Sequence, residues 1–194
     1  MSESRPALPT SRLVLEPVGA HHAPDLWDAT VRSLDELKPF MSWADTASFE
    51  TTLAFTSGGA LQWDAGAGMI FAIMIAGEAV GTIGFAQHAP LAGHAELGYW
   101  LRTDLCGRGL TTEAASAVVE YGFDELDLHR IELRAAPANV GSVRVAKKVG
   151  FKREGTLRHG AKGASGWHDA DVYGLLESDD RRVFHVLRDR VTGS

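Results

Sequence analysis

The segment CGRGLTT, residues 106–112, combines two glycines and an arginine directly before a predicted helix. Glycine lets a backbone turn sharply and expose successive N–H groups. The helix that follows adds unpaired N–H groups and the positive end of its dipole at the same place. The segment therefore predicts an anion site suited to phosphates, with Arg108 as an added cation. A glycine turn without a ligand is the alternative, and this segment alone does not decide between them.

Two familiar phosphate-binding motifs match this segment poorly. The chain contains no G-x-x-x-x-G-K-[ST] sequence, and Thr112 replaces the third glycine of G-x-G-x-x-G. These departures argue against a nucleoside triphosphatase and against a dinucleotide-binding Rossmann domain.

Glu96 is the candidate general base. Side chains alternate along a strand, so Glu96 shares one face of a predicted strand with Gly98 and Trp100. A carboxylate in a partly apolar cleft has a raised pKa, which suits proton abstraction. A solvated glutamate at a sheet edge is the simpler alternative.

Asn139 and Ser142 stand at the start of another predicted helix. Both residue types commonly cap helices, and capping is the simpler interpretation of this pair. Ser142 could instead pass a proton to a leaving group. Phe40 and Trp43 are either core residues or an aromatic wall beside a substrate. The eight histidines and the single Cys106 show no ligand spacing, so we predict no metal site.

The elements that position these residues follow a mixed α/β order. The hydrophobic pattern predicts strands at 12–16, 95–102, 130–136, 151–158 and 169–176, and a two-stranded hairpin within 66–86. It predicts helices at 22–37, 48–63, 110–126, 140–149 and 179–190. Hairpins at both ends exclude a regular βαβ alternation. Gly77 and Glu78 interrupt the apolar segment 66–86, which favours the hairpin over a membrane helix.

Composition is that of one soluble globular domain. The chain has 194 residues, of which 45% are hydrophobic and 23% are charged. The formal net charge of −6 argues against a nucleic-acid partner, which would require a basic face. Residues 1–10 lack the apolar core of a signal peptide, and one cysteine suits a reducing compartment. We therefore expect a cytoplasmic protein.

Four segments together resemble the GNAT superfamily of acyl-CoA-dependent N-acyltransferases, most closely its RimJ/RimL-type branch. They are AELGYWL at 95–101, GRGLTTEA at 107–114, HRIELRA at 129–135 and NVGSVRVAKKVGFKREG at 139–155. The segments LKPFMSW at 37–43 and WHDADVY at 167–173 are similar to that branch as well. The resemblance covers residues 10–177, which leaves 178–194 as a C-terminal helical extension. It implies the GNAT fold, an α/β (α+β) architecture whose mixed, mostly antiparallel central sheet is splayed in the middle and flanked by helices.

The resemblance also implies roles for individual residues. The coenzyme A pyrophosphate would be held by Gly107, Arg108, Gly109, Leu110, Thr111 and Thr112. The pantetheine arm would pair with the strand around Trp100, Leu101 and Thr103, and Asn139 would contact the cofactor. Glu96 matches the position that often supplies the base, and Ser142 matches the proposed acid for the thiolate. Phe40 and Trp43 would border the acceptor. The chain departs from the usual motif at Asp104 and Cys106, side chains on which the phosphate-binding N–H groups do not depend.

The expected activity is transfer of an acetyl group from acetyl-CoA to a primary amine by direct attack in a ternary complex. The acceptor would be a protein N-terminal α-amino group or a small amine. An enzyme that modifies antibiotics or polyamines, and a non-catalytic acyl-CoA-binding module, are the alternatives. We expect no metal, no nucleic acid and no membrane, and a homodimer stays open.

Overall fold

The computed structural model describes residues 5–89, 93–164 and 166–179. Its strands are β1 (Leu8–Pro9), β2 (Val14–Pro17), β3 (Met69–Ile75), β4 (Glu78–Ala89), β5 (His94–Leu101), β6 (Arg130–Ala135), β7 (Lys152–Gly163) and β8 (Gly166–Leu176). Its α-helices are α1 (Ala23–Val31), α2 (Leu34–Leu37), α3 (Phe49–Asp64), α4 (Leu110–Asp124) and α5 (Val140–Val149). Short 3-10 helices cover Ala20–His22, Ser42–Thr46 and Thr103–Leu105.

Within these described ranges, the eight strands form one sheet in the order β1-β2-β3-β4-β5-β6-β8-β7. Every neighbouring pair is antiparallel except β5 and β6, which are parallel. The helix α4 connects the parallel pair, because parallel strands need a crossover. The predicted mixed, mostly antiparallel sheet flanked by helices is confirmed.

Helices pack on both faces of the sheet. Successive side chains of β3 point to opposite faces, so this strand contributes to the packing on each side. Phe71 and Ile73 are fully buried in the cluster that also contains Val118 of α4. Ala72, which points the other way, packs in a second cluster with Leu26 of α1. The sheet is therefore buried on both sides around its central strands.

The helix predicted at 22–37 is divided. The α1 helix ends at Val31, and α2 begins at Leu34. Ser33, between them, is fully buried and accepts a hydrogen bond from the Thr103 N–H through its Oγ (3.0 Å). This contact, 70 residues away in sequence, takes precedence over local helix propensity.

The C-terminal hairpin is longer than predicted, because β7 extends to Gly163 and β8 begins at Gly166. Its far end packs on the loop after α2, where the Ala164 N–H donates to the Lys38 carbonyl (2.9 Å). A Cβ at Gly163 would lie only 2.1 Å from the Pro39 carbonyl oxygen, so this close approach requires glycine. The extension thus brings β7 and β8 to the loop that carries Phe40.

The long apolar segment forms a hairpin, as predicted. Its strands β3 and β4 are joined through Ala76 and Gly77, both with positive φ. No helix in the described parts of the chain is both long and apolar enough to cross a membrane. The predicted helix at 179–190, and the extension 178–194, lie outside the described residues except for positions 178 and 179.

Candidate active site

A cleft opens where β5 and β6 separate. The two strands pair at only three positions, the last of which joins Glu96 to Glu132. Beyond this pair, β5 continues to Leu101 and β6 continues to Ala135, but the two strands no longer pair with each other. The gap between them is part of a cavity of about 520 Å³. The predicted splay in the middle of the sheet is therefore present, and Glu96 lies at its origin.

Six of the predicted site residues line this cavity: Phe40, Trp43, Glu96, Trp100, Asn139 and Ser142. The rings of Trp43 and Trp100 pack together with their centroids 5.7 Å apart. The remaining predicted residues, at 101, 103 and 107–112, are not among those that line it. They follow β5 directly and lead into α4. The glycine segment is thus connected to the cavity through β5, the strand that carries Glu96 and Trp100.

Glu96 is partly shielded from water, with 29% of its side chain exposed. Burial raises the pKa of Glu96, which is the direction expected for a general base. Arg134 opposes this shift in pKa, since its Nε lies 3.7 Å from Glu96 Oε2, whereas the charge of Glu132 adds to it. His94 also lowers the pKa of Glu96. Glu96 thus has a raised pKa, limited by one neighbouring guanidinium group.

Arg134 and Glu132 belong to the site although the sequence analysis did not single them out. Arg134 lines the cavity, and its Nε donates to Glu132 Oε1 at 2.8 Å. Glu132 is buried and also accepts from Arg130 Nη2 at 3.0 Å. The signal was present in the sequence, since Arg130, Glu132 and Arg134 alternate along one predicted strand and must share a face.

The start of α5 places Ser142 in the cavity wall. Asn139 is the N-cap, because its Oδ1 accepts from the Ser142 backbone N–H at 3.0 Å. The capping interpretation therefore holds for Asn139, whereas the Ser142 hydroxyl takes no part in that bond. The Tyr99 hydroxyl donates to the Ser142 carbonyl at 3.5 Å, and burial raises the pKa of Tyr99 to about 12. Tyr99 consequently stays protonated at neutral pH.

The glycine segment has the backbone conformation that its residues predict. Gly107 and Gly109 both have φ of +79°, a left-handed conformation that favours glycine. Gly109 is the N-cap of α4, and no side chain caps this helix end. The first-turn N–H groups, which begin at Leu110, therefore keep their capacity to bind an anion. Arg108 is exposed and donates through Nη2 to the Asp104 carbonyl at 3.0 Å.

A buried carboxylate links the glycine segment to the N-terminal part of the chain. Glu113, in the first turn of α4, accepts hydrogen bonds from the hydroxyls of Thr10 and Ser11 at 2.7 and 2.8 Å. It also accepts from the backbone N–H and the Nε of Arg12 at 2.8 and 2.6 Å. Arg12 in turn donates through Nη1 to the Arg108 carbonyl at 2.9 Å. Arg12 was not predicted, because only the folded chain brings it to residues 108–113.

The Glu113 cluster should contribute to stability in a pH-dependent way. Burial alone would raise the pKa of Glu113, but the bonds from Thr10, Ser11 and Arg12 outweigh it and lower the pKa. A carboxylate whose pKa is lowered by folding stabilises above its unfolded pKa of about 4.3 and loses this contribution as the pH falls through the folded pKa. We expect Glu113→Gln to lower the free energy of unfolding by about 2 kcal/mol at pH 7.

Urea unfolding at pH 7 and in acid measures this effect. The difference between the wild type and Glu113→Gln should shrink as the pH falls below the unfolded pKa of about 4.3 and through the lowered pKa of folded Glu113. The exposed Glu125, at the other end of α4, provides the control variant Glu125→Gln. A difference that does not change with pH would show that the charge of Glu113 is not the source of stability.

The two departures from the expected motif have local explanations. Asp104 pairs with Arg102, whose Nε lies 2.7 Å from Asp104 Oδ1, and Arg102 also binds Glu78 at 2.6 Å. Cys106 is exposed, yet partial burial raises the pKa of its thiol, and the charges of Asp104 and Glu36 raise it further. A thiol with a raised pKa is a poor nucleophile at neutral pH. This agrees with direct transfer of the acyl group.

One group in the described residues has the composition of a metal site. The ligand atoms of Glu16, His21 and His22 lie within 4.8 Å of one another. The Gly19 N–H donates to His22 Nδ1 at 3.1 Å, so the proton of the neutral ring lies on Nε2, 3.4 Å from Glu16 Oε2. Burial lowers the pKa of His22. A metal at Nε2 would have to displace the proton that makes this contact, and the absence of a metal site stays a prediction.

Comparison with known proteins assigns the family. The family model described as acetyltransferase (GNAT) domain matches residues 12–152, which is most of the chain. The chain belongs to the GNAT acetyltransferase family. The Bacillus subtilis protein named "Probable N-acetyltransferase YjcK" is 44% identical to this GNAT protein over 86 residues, which cover 44% of the chain and 48% of the relative. The chain spans about half the length of YjcK and of two further Bacillus relatives that it matches.

Two other matches extend over most of this GNAT protein. The Escherichia coli ribosomal-protein-serine acetyltransferase is 26% identical over 165 residues, which cover 84% of the chain and 92% of that enzyme. The solved structure of Mycobacterium smegmatis RimJ in complex with CoA-disulfide superposes with a TM-score of 0.82 at 26% identity, covering 97% of this chain and 95% of RimJ. The RimJ/RimL-like resemblance is thereby confirmed. The roles of individual site residues, and the domain limits at 10 and 177, stay predictions.

Proposed function

We propose that this GNAT protein transfers an acetyl group from acetyl-CoA to a primary amine, by preference the α-amino group of a protein N-terminus. The observation that carries the proposal is the cavity at the splay of β5 and β6, where Glu96 and Ser142 line the same space. A base for the attacking amine and an acid for the departing thiolate are the two groups that this reaction requires. The chain's membership of the acetyltransferase family supports the same reaction.

The donor would bind along the stretch from β5 to α4. The N–H groups of residues 107–112, at the uncapped start of α4, suit the pyrophosphate of coenzyme A, with Arg108 as a cation at the exposed edge. The backbone around Trp100, Leu101 and Thr103 would pair with the pantetheine arm, and Asn139 would contact the donor from the other side of the cleft. The thioester would then end inside the cavity, beside Glu96.

In the proposed mechanism the neutral amine attacks the thioester carbonyl. Glu96, directly or through a water, accepts the proton that the amine nitrogen loses. The N–H groups of the Trp100–Leu101 strand stabilise the oxyanion of the tetrahedral intermediate. The carbon–sulfur bond then breaks, the Ser142 hydroxyl donates its proton to the thiolate and regains one from water, and Glu96 releases to water the proton that it took from the amine. An α-amino group has a pKa near 8 and a lysine amine near 10.4, so the former needs less help from a base at pH 7.

The proposed acid can be tested separately from helix capping. We expect Ser142→Ala to lower kcat by about tenfold or more while the Kd for acetyl-CoA changes little, since the hydroxyl acts only as the thiolate leaves. The cap should survive, because it joins the backbone N–H of Ser142 to Asn139. Asn139→Ala is the contrasting variant and should lower the free energy of unfolding by about 1 kcal/mol. A loss of acetyl-CoA affinity alone in Ser142→Ala would contradict the assignment.

The cavity lining favours an acceptor with one positive charge over a polyamine. Among the described residues that line it, Glu96 and Arg134 are the charged side chains that face each other, and the rest are mostly apolar, aromatic or threonine. A polycationic acceptor would call for several carboxylates. A protein N-terminus, which has a single ammonium group beside neutral peptide groups, fits this lining better. The ribosomal-protein relative acts on protein, as its name states, and supports this choice.

The decisive experiment is a screen of N-terminal peptides and small amines with acetyl-CoA. Release of coenzyme A identifies active acceptors, and mass spectrometry locates the added acetyl group. Preference for peptide α-amino groups would support the proposal, and preference for polyamines or aminoglycosides would replace it with the alternative. Binding of acetyl-CoA with no release of thiol across the panel would indicate a non-catalytic module.

The location and the partners of the protein belong to the same proposal. The net charge of −6 argues against nucleic acid, and a single cysteine suits the reducing environment of the cytoplasm. A homodimer stays open.

A further inference from the structure

His168 lies on β8, in the part of the hairpin that extends beyond the prediction. It pairs with Ala161 of β7, and both residues line the cavity. The end of this hairpin is held against the loop before Phe40 by the bond from Ala164 to Lys38. His168 therefore belongs to the part of the cavity wall that the extended hairpin supplies.

The hydrogen bonds of the His168 ring assign its tautomer. Nδ1 lies 3.1 Å from the Asp169 carbonyl oxygen, which can only accept, so Nδ1 carries the proton. In the neutral ring Nε2 is then a hydrogen-bond acceptor. Nε2 is buried and has no partner within hydrogen-bonding distance among the described residues. Buried polar atoms nearly always have a partner, so one without any calls for an explanation.

We propose that the His168 ring tilts toward the cavity when the acceptor binds, so that Nε2, buried in the unliganded protein, accepts a hydrogen bond from an N–H or O–H group of the acceptor, adjacent to the amine that reacts. This inference rests on the proposed function and defines the acceptor more closely. Few other side chains that line the cavity could accept this hydrogen bond in place of His168, because most of them are apolar or aromatic. The acceptor class is then a peptide N-terminus that presents either its first peptide N–H or a side-chain hydroxyl, whereas a plain alkyl amine lacks the required donor.

Three peptides that differ in one donor each can test the inference on the wild-type enzyme. The parent begins with serine, the second begins with alanine, and the third carries an N-methyl group on its first peptide nitrogen. We expect one of the two modified peptides to raise the acceptor KM by about tenfold, the loss of one hydrogen bond. A rise for alanine identifies the hydroxyl, and a rise for the N-methyl peptide identifies the amide. Equal KM values for all three peptides would overturn the inference.

Two variants of His168 complete the test. His168→Phe keeps a ring but removes the acceptor atom, and should raise the KM for the parent peptide by about tenfold with the KM for acetyl-CoA unchanged. For the peptide that lacks the hydrogen-bond donor, the KM of His168→Phe should equal the KM of the wild type. His168→Gln keeps an acceptor oxygen and should stay within about threefold of the wild type. A loss as large in His168→Gln as in His168→Phe would overturn the inference.

The exposed His129, which does not line the cavity, supplies the matched control His129→Gln. Its acceptor KM should equal that of the wild type, and thermal unfolding of each variant confirms that it is folded. Turnover of small amines but of no peptide would overturn the proposed function together with this inference. Turnover of the three peptides with equal KM values would overturn the inference alone.

Discussion

Replacing Glu96 with glutamine should lower kcat about a hundredfold near pH 7, within the range that general bases contribute. Glutamine keeps the shape of the side chain but cannot accept the proton of the amine. Burial raises the pKa of Glu96 above the ordinary glutamate value of about 4.3. The wild-type rate should therefore increase with pH as this carboxyl group ionises. The variant should lose this step and keep only the dependence on amine ionisation near pH 8.

Steady-state rates from pH 5 to 10, at saturating acetyl-CoA, measure both effects. The deficit of Glu96→Gln should narrow at high pH, where most of the amine is already neutral. Glu125→Gln, an exposed carboxylate away from the cavity, should match the wild type throughout. Equal rates for Glu96→Gln and the wild type at every pH would remove Glu96 from the mechanism.

Replacing Gly109 with alanine should weaken acetyl-CoA binding about tenfold. The new Cβ would fit, because its nearest neighbour is Arg12 Nη2 at 3.6 Å. The cost arises from the backbone, since a left-handed φ of +79° is unfavourable for alanine by about 1–2 kcal/mol. The segment should therefore relax away from the conformation that presents the first-turn N–H groups of α4.

Calorimetric titration with acetyl-CoA tests this expectation. Gly155→Ala is the matched control, because a Cβ at Gly155 meets nothing within 4 Å and its φ is ordinary. Gly109→Asn should bind more tightly than Gly109→Ala, because asparagine tolerates the left-handed conformation. Unchanged affinity in Gly109→Ala would mean that the donor does not depend on this turn.

Local sequence features predict the conformation of the proposed donor-binding segment well. The glycine segment and the α4 helix depend on residues within one short stretch, so their conformation follows from glycine and from helix periodicity. The bounds of α5 match the prediction at 140–149, where Asn139 begins the helix and Gly150 ends it. The raised pKa of Glu96 also has the predicted direction, because burial disfavours the charged form of a carboxyl group.

The proposed acceptor side of the cavity depends on contacts between distant segments, which one sequence does not reveal. Arg134 reaches Glu96 because β6 pairs with β5, and His168 reaches the cavity because the last hairpin extends past its predicted ends. The break between α1 and α2 at Ser33 has the same origin, because the Thr103 N–H donates a hydrogen bond to the Ser33 hydroxyl. Each of these features depends on which residues of neighbouring strands pair. The alternation of apolar and polar residues along a strand does not determine that pairing.

The contact between Gly163 and Pro39 links the evolution of two segments that are far apart in sequence. A side chain at position 163 would collide with the Pro39 carbonyl oxygen, which a Cβ would approach to 2.1 Å. A mutation there can persist only with a compensating change in the neighbouring loop, which also carries Phe40. Substitutions at position 163 in descendants of this protein should therefore be accompanied by changes in the loop around Pro39.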